Sequence, residues 1–546
     1  MGLHIYDTRT RRTRPFEPLR PGHVGVYVCG PTVQSAPHVG HVRTAVAFDV
    51  LRRWFTASGL DVTFVQNVTD IDDKIIINAN RAGESVWELA TRQTRAFDDA
   101  YRALGVLPAT IQPRATGHIP EMITLIARLV DVGCAYAGGG SVWFRVGRFA
   151  GYGELSNQRP DAMQASAEGE PGKADPRDFA LWKGAKPGEP FWESPWGRGR
   201  PGWHIECSAM AGKYLGETFD IHGGGLDLVF PHHENERAQS VCAMDPGAMD
   251  PGAVDPDAVD PDAVDPDAVD PAGTDRAGTD ADRLSAAGGA AEMARYWMHV
   301  GLLTTGGTKM SKSLGNSFLV ADALDEVRPQ VLRYHLLGAH YRSSLEYSPE
   351  GLVESAAAHD RIETFVRNAL DILGGPDEAA ALAAETAGTL ETLKALDLRD
   401  VSGTDAVTGA GPVDVLTIAS PAQAWCAFAA ALDDDLAVSR ALAALFGAVG
   451  CGNQVLSKTR SRELAGWVDV VRRMLAVLGL DPVGQWPAAG SELRPALSGV
   501  MEIVLDLRSA ARARRDYAEA DGIRTRLAAG GILVEDTPEG QRWHLA

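Results

Sequence analysis

No stretch of this 546-residue chain comes near the ~20 consecutive apolar residues of a bilayer-spanning helix, so no membrane role is expected. Cysteine is scarce: there are six, and no two form a Cys-x-x-Cys pair. That excludes a disulfide scaffold and suits a reducing, cytoplasmic setting. A His-Glu-x-x-His helix is missing too, which leaves a zinc hydrolase without its usual signature. Arg9, Arg11, Arg12 and Arg14 faintly suggest a transit peptide. Leu3 to Asp7 reads instead as a first strand, and Tyr6 fails the small-hydroxyl position of a myristoylation signal, so no targeting segment is expected.

Positive charge is also in short supply, with 52 Lys and Arg against 72 Asp and Glu and a net charge of −20. Half of that deficit sits in one place, because Asp245 to Arg283 holds twelve aspartates and two arginines. Five tandem copies of Pro-Gly/Asp-Ala-Val/Met-Asp run from Pro246 to Asp270. Proline at every fifth position, dense like charge and no aromatics cannot bury enough apolar surface to order a chain. The copies lack the glycine-rich framework of calcium-binding repeats. Residues 244–290 are therefore expected to be a disordered acidic insert without a ligand, which a fold absorbs at little entropic cost.

What the sequence does contain is concentrated in short words. Val24, Val26 and Val28 alternate as in a buried strand, and Pro37-His38-Val39-Gly40-His41 comes shortly after. Far downstream, Gly306 and Gly307 precede Lys309-Met310-Ser311-Lys312-Ser313, which reads as a mobile loop. Histidines, a glycine for close approach and two lysines suit the holding of a triphosphate while its α-phosphorus is attacked. Lysine ammonium groups would neutralise charge building on departing pyrophosphate. Either word alone is as easily two histidines around a turn or a solvated loop. As a pair, in this order and context, they resemble the two signature motifs of class I aminoacyl-tRNA synthetases, with Val39 in place of the commoner isoleucine.

A second constellation comprises Cys29, Cys207, His232 and Glu236. His232 and Glu236 stand four apart, so a helical turn would put both on one face. Two thiols, an imidazole and a carboxylate are a sensible Zn²⁺ set, although spacing alone equally allows inert buried cysteines and a capped helix start. The surrounding words are Cys29-Gly-Pro-Thr-Val, Asn67-Val-Thr-Asp-Ile-Asp-Asp-Lys74, Gly202-Trp-His-Ile-Glu-Cys-Ser-Ala-Met210 and His232-His-Glu-Asn-Glu236. These closely resemble cysteinyl-tRNA synthetases, a likeness that runs from Leu3 to Trp543 apart from the insert.

The resemblance implies one zinc per chain on Cys29, Cys207, His232 and Glu236, holding the substrate thiolate. It implies ATP with Mg²⁺, L-cysteine and tRNA(Cys) as partners. His38 and His41 would stabilise the pentavalent phosphorus, with Gly40 close to ATP, and Lys309 and Lys312 would hold the phosphates. Thr69 and Asp70 would line the amino-acid pocket, with Trp203 and His222 nearby. A monomer is expected. Zinc prefers thiolate to a neutral alcohol, which would separate cysteine from serine where an apolar pocket manages only about 10²-fold.

Alternation of strand, loop and helix predicts an α/β, Rossmann-like, doubly wound parallel-sheet catalytic domain over residues 1–115 and 200–300, split by a connective insertion at 116–199. Residues 301–348 should carry the lysine loop and a stem-contact link, and the Ala/Leu-rich 349–482 an all-α helical bundle. Residues 490–546 resemble an anticodon-binding module, with Arg508, Arg512 and Arg515 on one helical face. The nearest rival is a cysteine–amino-sugar ligase of mycothiol synthesis, which shares the adenylate chemistry but lacks the long tail. A zinc hydrolase would not explain the lysine loop, and a non-catalytic RNA-binding paralogue would not keep every presumed catalytic position.

Overall fold

The computed structural model describes residues 2–158, 171–245, 247, 291–310, 318–384, 418–456, 460–484, 486, 493–529, 532–537 and 540–545. The acidic repeat, the Gly/Pro/Glu-rich stretch before Pro171, the Val401–Gly411 break and Lys312 lie outside the described residues. Contacts divide the chain into two units, Met1–Gly484 and Gln485–Ala546.

The first unit begins with an antiparallel pair, β1 (His4–Asp7) and β2 (Arg12–Pro15). A parallel sheet comes next, built from β3 (His23–Val28), α1 (Val39–Ala57) and β4 (Asp61–Gln66). In β3 both faces are buried, which is why valines, Gly25 and Tyr27 form a near-continuous apolar run. Helices α2 (Asp73–Ala82), α3 (Val86–Ala103) and α4 (Ile119–Asp131) lead to an antiparallel sheet of β5 (Ala135–Gly138), β6 (Ser141–Phe144), β7 (Phe179–Gly184) and β8 (Gly199–Pro201). The chain then re-enters the parallel sheet through α5 (Trp203–Leu215), β9 (Phe219–Gly225), α6 (Glu234–Met244) and β10 (Ala294–Val300).

Strand order in that sheet is β10-β9-β3-β4. From β3 the chain winds outward one way through α1, and from β9 the other way through α6. The reversal opens a crevice at the carboxyl ends of β3 and β9, the place where open α/β sheets bind ligands.

Two buried arginines fasten this sheet to the segments beyond β10. Arg43 of α1, 2% exposed, donates to the carbonyls of Gly301, Leu302 and Ser343 at 2.8, 2.8 and 2.6 Å, and to that of His340 at 3.4 Å. Arg333, in helix Pro329–Leu337, donates to the carbonyls of Leu478 and Leu104 and to Asp49 Oδ2 of α1 at 2.8, 3.0 and 2.5 Å. Asp49 also accepts from Arg53 Nε at 2.7 Å and from the Leu107 N–H at 2.9 Å.

Helices Pro349–Leu373, Pro421–Asp433, Val438–Val455 and Arg462–Leu478 pack as an all-α region. Three of them start the same way: Ser348, Ser420 and Ser461 each accept a backbone N–H three residues on, and the first two are succeeded by proline at the first helical position. The second unit contains helices Leu493–Ala513 and Tyr517–Ala529 and an antiparallel hairpin of Ile532–Thr537 with Gly540–Leu545. The expected arginine face is corrected here. Arg508 is buried at 2% exposure, and Arg515 lies beyond the helix end with φ of 61°; Arg512 alone of the three is exposed within the helix. Among the described residues no helix is long and apolar enough to cross a membrane.

The glycine pair before the lysine motif is a second correction. Gly306 and Gly307 have φ of 58° and 73°, the two left-handed residues of a tight hairpin turn. Thr304 pairs with Lys309 and Thr305 with Thr308, so Lys309 lies on a return strand, while Ser311–Ser313 of the expected loop lie outside the described residues.

Candidate active site

Cys29 comes directly after the last residue of β3, where the chain passes very close to the loop after β4. The Gly30 N–H donates to Asn67 Oδ1 at 2.8 Å, and a Cβ on Gly30 would sit 1.6 Å from the Asn67 carbonyl oxygen. Only glycine allows this approach. The two loops then exchange backbone hydrogen bonds, Val33 N–H to Thr69 O and Thr69 N–H to Pro31 O, both at 3.1 Å.

Trp203 opens α5, which places His204 and Cys207, three residues apart, on one face. Opposite them stand His232, in the tight turn Val229–His233, and Glu236 in the first turn of α6. Cys29 Sγ lies 3.6 Å from Cys207 Sγ and 3.4 Å from Glu236 Oε1, and His232 Nε2 lies 3.0 Å from that same oxygen. The four ligand atoms fall within 4.8 Å of one another, and all four residues are buried.

This donor set fits a metal. Two sulfurs on one tetrahedral zinc, each at about 2.3 Å, would be about 3.8 Å apart, close to the spacing seen. The other ring nitrogen of His232 is 2.9 Å from His204 Nδ1, the outer-shell contact that fixes a ligand imidazole. Charges point the same way. Burial pushes the Cys29 thiol up, with Cys207 and Glu236 adding to it. Cys207 is held down to about 6: burial opposes this, and hydrogen bonds from Cys29 and His232 overcome it. His232 is lifted to about 10 against its own burial by the Glu236 carboxylate, which is itself held well below the usual range. The protonated His232 ring is thus the cation that offsets the Cys207 thiolate and the Glu236 carboxylate, a role that a metal ion held by the same residues would take over.

A second set, Cys29, His222, His233 and Glu236, also converges within 4.8 Å. It uses one sulfur, and His233 stands 4.0 Å from Glu236 Oε1, so the first set matches tetrahedral ligation better. The Tyr27 hydroxyl, His222 Nδ1 and His233 Nε2 around the cluster are buried without a hydrogen-bond partner among the described residues. Burial lowers His204 and His233 well below the ordinary histidine value and brings His299 to about 3, so these rings are neutral.

The pocket residues expected from the sequence divide. Trp203 is half-buried, stacks on His232 at 4.3 Å and lies 5.9 Å from the Lys74 ammonium. His222 directs Nε2 to Glu236 Oε2 at 2.8 Å and stacks on Trp297 at 4.7 Å, which makes it a support for Glu236. The Thr69 hydroxyl donates to Glu206 Oε2 at 2.8 Å. Asp70 faces away from the cluster chemically, since its two oxygens accept the Thr116 N–H at 3.0 Å and hydroxyl at 2.7 Å.

His38, Gly40 and His41 are not in a loop. His38 is the N-cap of α1, and Val39 to His41 form its first turn. The His38 N–H donates to His41 Nδ1 at 3.1 Å and the two rings stack at 3.6 Å. A Cβ on Gly40 would come within 3.0 Å of the His38 ring, so glycine keeps that ring in place. The chain just past the lysine motif is laced to this cap: His38 bridges Leu319, Val39 N–H donates to Phe318 O and Val320 N–H to Pro37 O, both at 3.0 Å. The first signature word thus meets, at one helix end, the chain that follows the second.

The family described as the class I (C) tRNA synthetase catalytic domain matches residues 15–250 and 280–357. A DALR domain matches residues 427–480, and the cysteinyl-tRNA ligase anticodon binding domain matches 494–543. A cysteine–tRNA ligase of Frankia casuarinae is 71% identical over 560 aligned residues that span 100% of both chains. The chain belongs to the cysteine–tRNA ligase family. Another cysteine–tRNA ligase, from Beutenbergia cavernae, is 48% identical over 100% of this chain and 99% of its own. Among solved structures, an Agrobacterium radiobacter LeuRS in a ternary complex with tRNA and LeuAMS shares the fold at 11% identity, with a TM-score of 0.52 over 88% of each chain.

For a cysteine–tRNA ligase, the sequence motifs pass over Tyr27, His204, His233 and His299, which complete the cluster's surroundings. Two have a legible signal. Tyr27 lies two residues before Cys29 and so shares its strand face, and His204 lies one helical turn before Cys207. His233 and His299 meet at 2.8 Å through tertiary packing, which no local spacing encodes.

Proposed function

We propose that this chain activates L-cysteine with ATP and transfers it to the terminal adenosine of tRNA(Cys), the two half-reactions centred on the crevice between β3 and β9. The observation that carries the reading is the buried meeting of two cysteine sulfurs, an imidazole and a carboxylate beside a histidine-capped helix end. Cys29, Cys207, His232 and Glu236 would hold Zn²⁺. That ion, when bound, would favour sulfur over oxygen and stabilise a substrate thiolate. His204 orients His232, and His222 orients Glu236. Trp203, stacked on His232, walls the amino-acid pocket.

The cysteine carboxylate attacks the α-phosphorus, the bond to the bridging oxygen breaks, and pyrophosphate leaves. His38 and His41 face the phosphates from the start of α1, where the helix dipole also favours negative charge. Lys309 and Lys312 neutralise the leaving pyrophosphate, and Mg²⁺ accompanies the nucleotide. A ribose hydroxyl then attacks the activated carbonyl and AMP departs. Positioning and charge stabilisation do the catalysis, and no side chain forms a covalent bond. The anticodon-binding family match at 494–543 favours tRNA over an amino sugar as acceptor.

Cysteine-dependent ATP–pyrophosphate exchange, followed by acceptor assays with tRNA(Cys) and with an amino sugar, tests this. Exchange with tRNA charging is expected. Exchange with transfer only to the amino sugar would overturn the acceptor assignment, and an active preparation free of zinc would overturn the metal assignment.

A further inference from the structure

Two consecutive residues between helices Pro421–Asp433 and Val438–Val455 adopt the left-handed conformation, Asp435 and Leu436, each with φ of 53°. Aspartate tolerates that region, whereas leucine is strained there. Such a backbone persists only where its surroundings over-determine it. Those of Asp435 do. The residue is 4% exposed, and its carboxylate gathers two other segments of the chain. The Tyr6 N–H of β1 and the Tyr341 hydroxyl donate to Oδ1 at 2.8 and 2.7 Å. The Arg342 guanidinium meets Oδ2 through Nε at 2.7 Å and Nη2 at 2.6 Å, and lies 4.3 Å from the centre of the Tyr6 ring.

Tyr341 and Arg342 sit in a turn closed by the Ser343 N–H on the His340 carbonyl at 2.9 Å. Arg43 of α1 clasps the His340 and Ser343 carbonyls of the same turn. The Gly301 N–H donates to the Tyr341 carbonyl at 2.7 Å, and a Cβ on Gly301 would fall 2.4 Å from the Ser343 carbonyl oxygen. No side chain therefore fits between this turn and the chain leaving β10. Past the turn, Leu345 pairs with Leu303 and Glu346 with Thr304 in parallel register. Glu346 accepts the Thr304 hydroxyl, and its Oε1 accepts the Gly307 N–H at 3.4 Å. Thr304 is in turn the partner of Lys309. One turn thus registers the strand bearing Lys309 against the helix that begins after His38, and Asp435 holds that turn from the helical bundle.

We propose that Asp435 is a positioning residue for adenylate formation: through Tyr341 and Arg342 it fixes the Lys309 strand relative to His38 and His41, a role that rests on the ligase reading above. Charge on the departing pyrophosphate is best met by groups already in place, and a displacement of about 1 Å costs such a site up to about 10²-fold. The transfer half-reaction releases no pyrophosphate and does not use this joint.

The test uses the full chain and the variants Asp435→Asn, Arg342→Ala and Arg342→Lys. Asparagine also tolerates a positive φ, so Asp435→Asn removes the charge without forcing the backbone to change. Adenylate formation, measured as a single turnover of cysteine and ATP per active site, should slow about tenfold in Asp435→Asn and in Arg342→Ala. Their double variant should be no slower than either, because both remove the same contact. Arg342→Lys should recover most of the rate. Zinc content and affinity for cysteine should stay at wild-type values, and preformed enzyme-bound adenylate should pass its cysteine to tRNA at the wild-type rate in every variant. Should Asp435→Asn fail to fold, Arg342, with its side chain 40% exposed, carries the same comparison. Wild-type adenylate formation in Arg342→Ala, or equal slowing of both half-reactions, would overturn the positioning role. A wild-type chain that forms no adenylate from cysteine and ATP would instead refute the ligase reading itself.

Discussion

At the scale of single residues, most of the site can be read because its chemistry sits in contiguous words. Cys29, Cys207, His232 and Glu236 are each flanked by distinctive neighbours, whereas Asp70, in an equally distinctive word, has its oxygens engaged with Thr116. A word indicates that a residue is constrained, and only packing says by what. Gly30 illustrates the point, since its requirement comes from Asn67, 37 positions away. Gly30→Ala should push the loops after β3 and β4 apart and displace Cys29. Overpacking of this sort costs about 1–3 kcal/mol, and collision with backbone leaves no flexible atom to yield, so the upper end is expected. Denaturant unfolding should register the loss, and zinc content of the purified protein should fall with it. Unchanged stability and metal content would mean that the loops separate freely.

At the scale of elements, periodicity predicts the parallel sheet and the helices, and it fails where two elements meet end to end. His38 to His41 looks like a loop because its glycine and histidines are poor helix formers, yet the segment caps α1 by lacing to Phe318, Leu319 and Val320. The hairpin around Gly306 and Gly307 escapes a sequence reading because its strands are only two or three residues long. The Asp49–Arg333 pair is a tertiary joint that no pattern announces, and it has a pH signature. Burial would raise the Asp49 carboxyl, but Arg333 and Arg53 hold it below the ordinary value. Its contribution to stability is therefore present above the unfolded aspartate pKa of about 3.9 and is lost as pH falls through the lower folded value. Asp49→Asn should cost about 3–5 kcal/mol near neutral pH, because Arg333 stays buried without its anion. Chemical denaturation between pH 7 and pH 3 should reveal a shallower acid limb in the variant. An equally steep limb would place the acid sensitivity elsewhere.

At the scale of the whole molecule, composition misleads and organisation informs. A net charge of −20 argues against RNA until the acidic repeat is set aside. The catalytic-domain match resumes at residue 280 after stopping at 250, so the family pattern is complete without the stretch between. Both flanks of the insert are fastened to the first unit. Helix α6 ends at Met244, and on the far side Thr218 donates to the Glu292 carbonyl at 2.9 Å while Arg237 pairs with the Glu292 carboxylate at 2.7 Å. Removing residues 251–279 should leave zinc content, pyrophosphate exchange and tRNA charging within about twofold of the full chain, because the catalytic-domain match runs to 250 and resumes at 280. A large drop in charging with normal exchange would assign the repeat a role toward tRNA.

Arg43 has a wider consequence. Its charge is neutralised by no carboxylate among the described residues, only by backbone carbonyls, and burial merely lowers its pKa to about 10. Two residues past His41, it is a permanent positive source inside low-dielectric surroundings, which mobile ions screen poorly. Nucleotide affinity should accordingly keep a component that survives rising ionic strength, while tRNA affinity falls steeply as counterions compete for phosphate. Arg43→Lys would concentrate the charge at one point that cannot span those carbonyls, so the variant should lose ATP affinity even though its formal charge is unchanged. Titrations of ATP and tRNA at 50 and 500 mM salt (about 14 and 4 Å of screening length) would separate the two behaviours. If ATP binding weakened as steeply as tRNA binding, the buried charge would have no reach to the nucleotide.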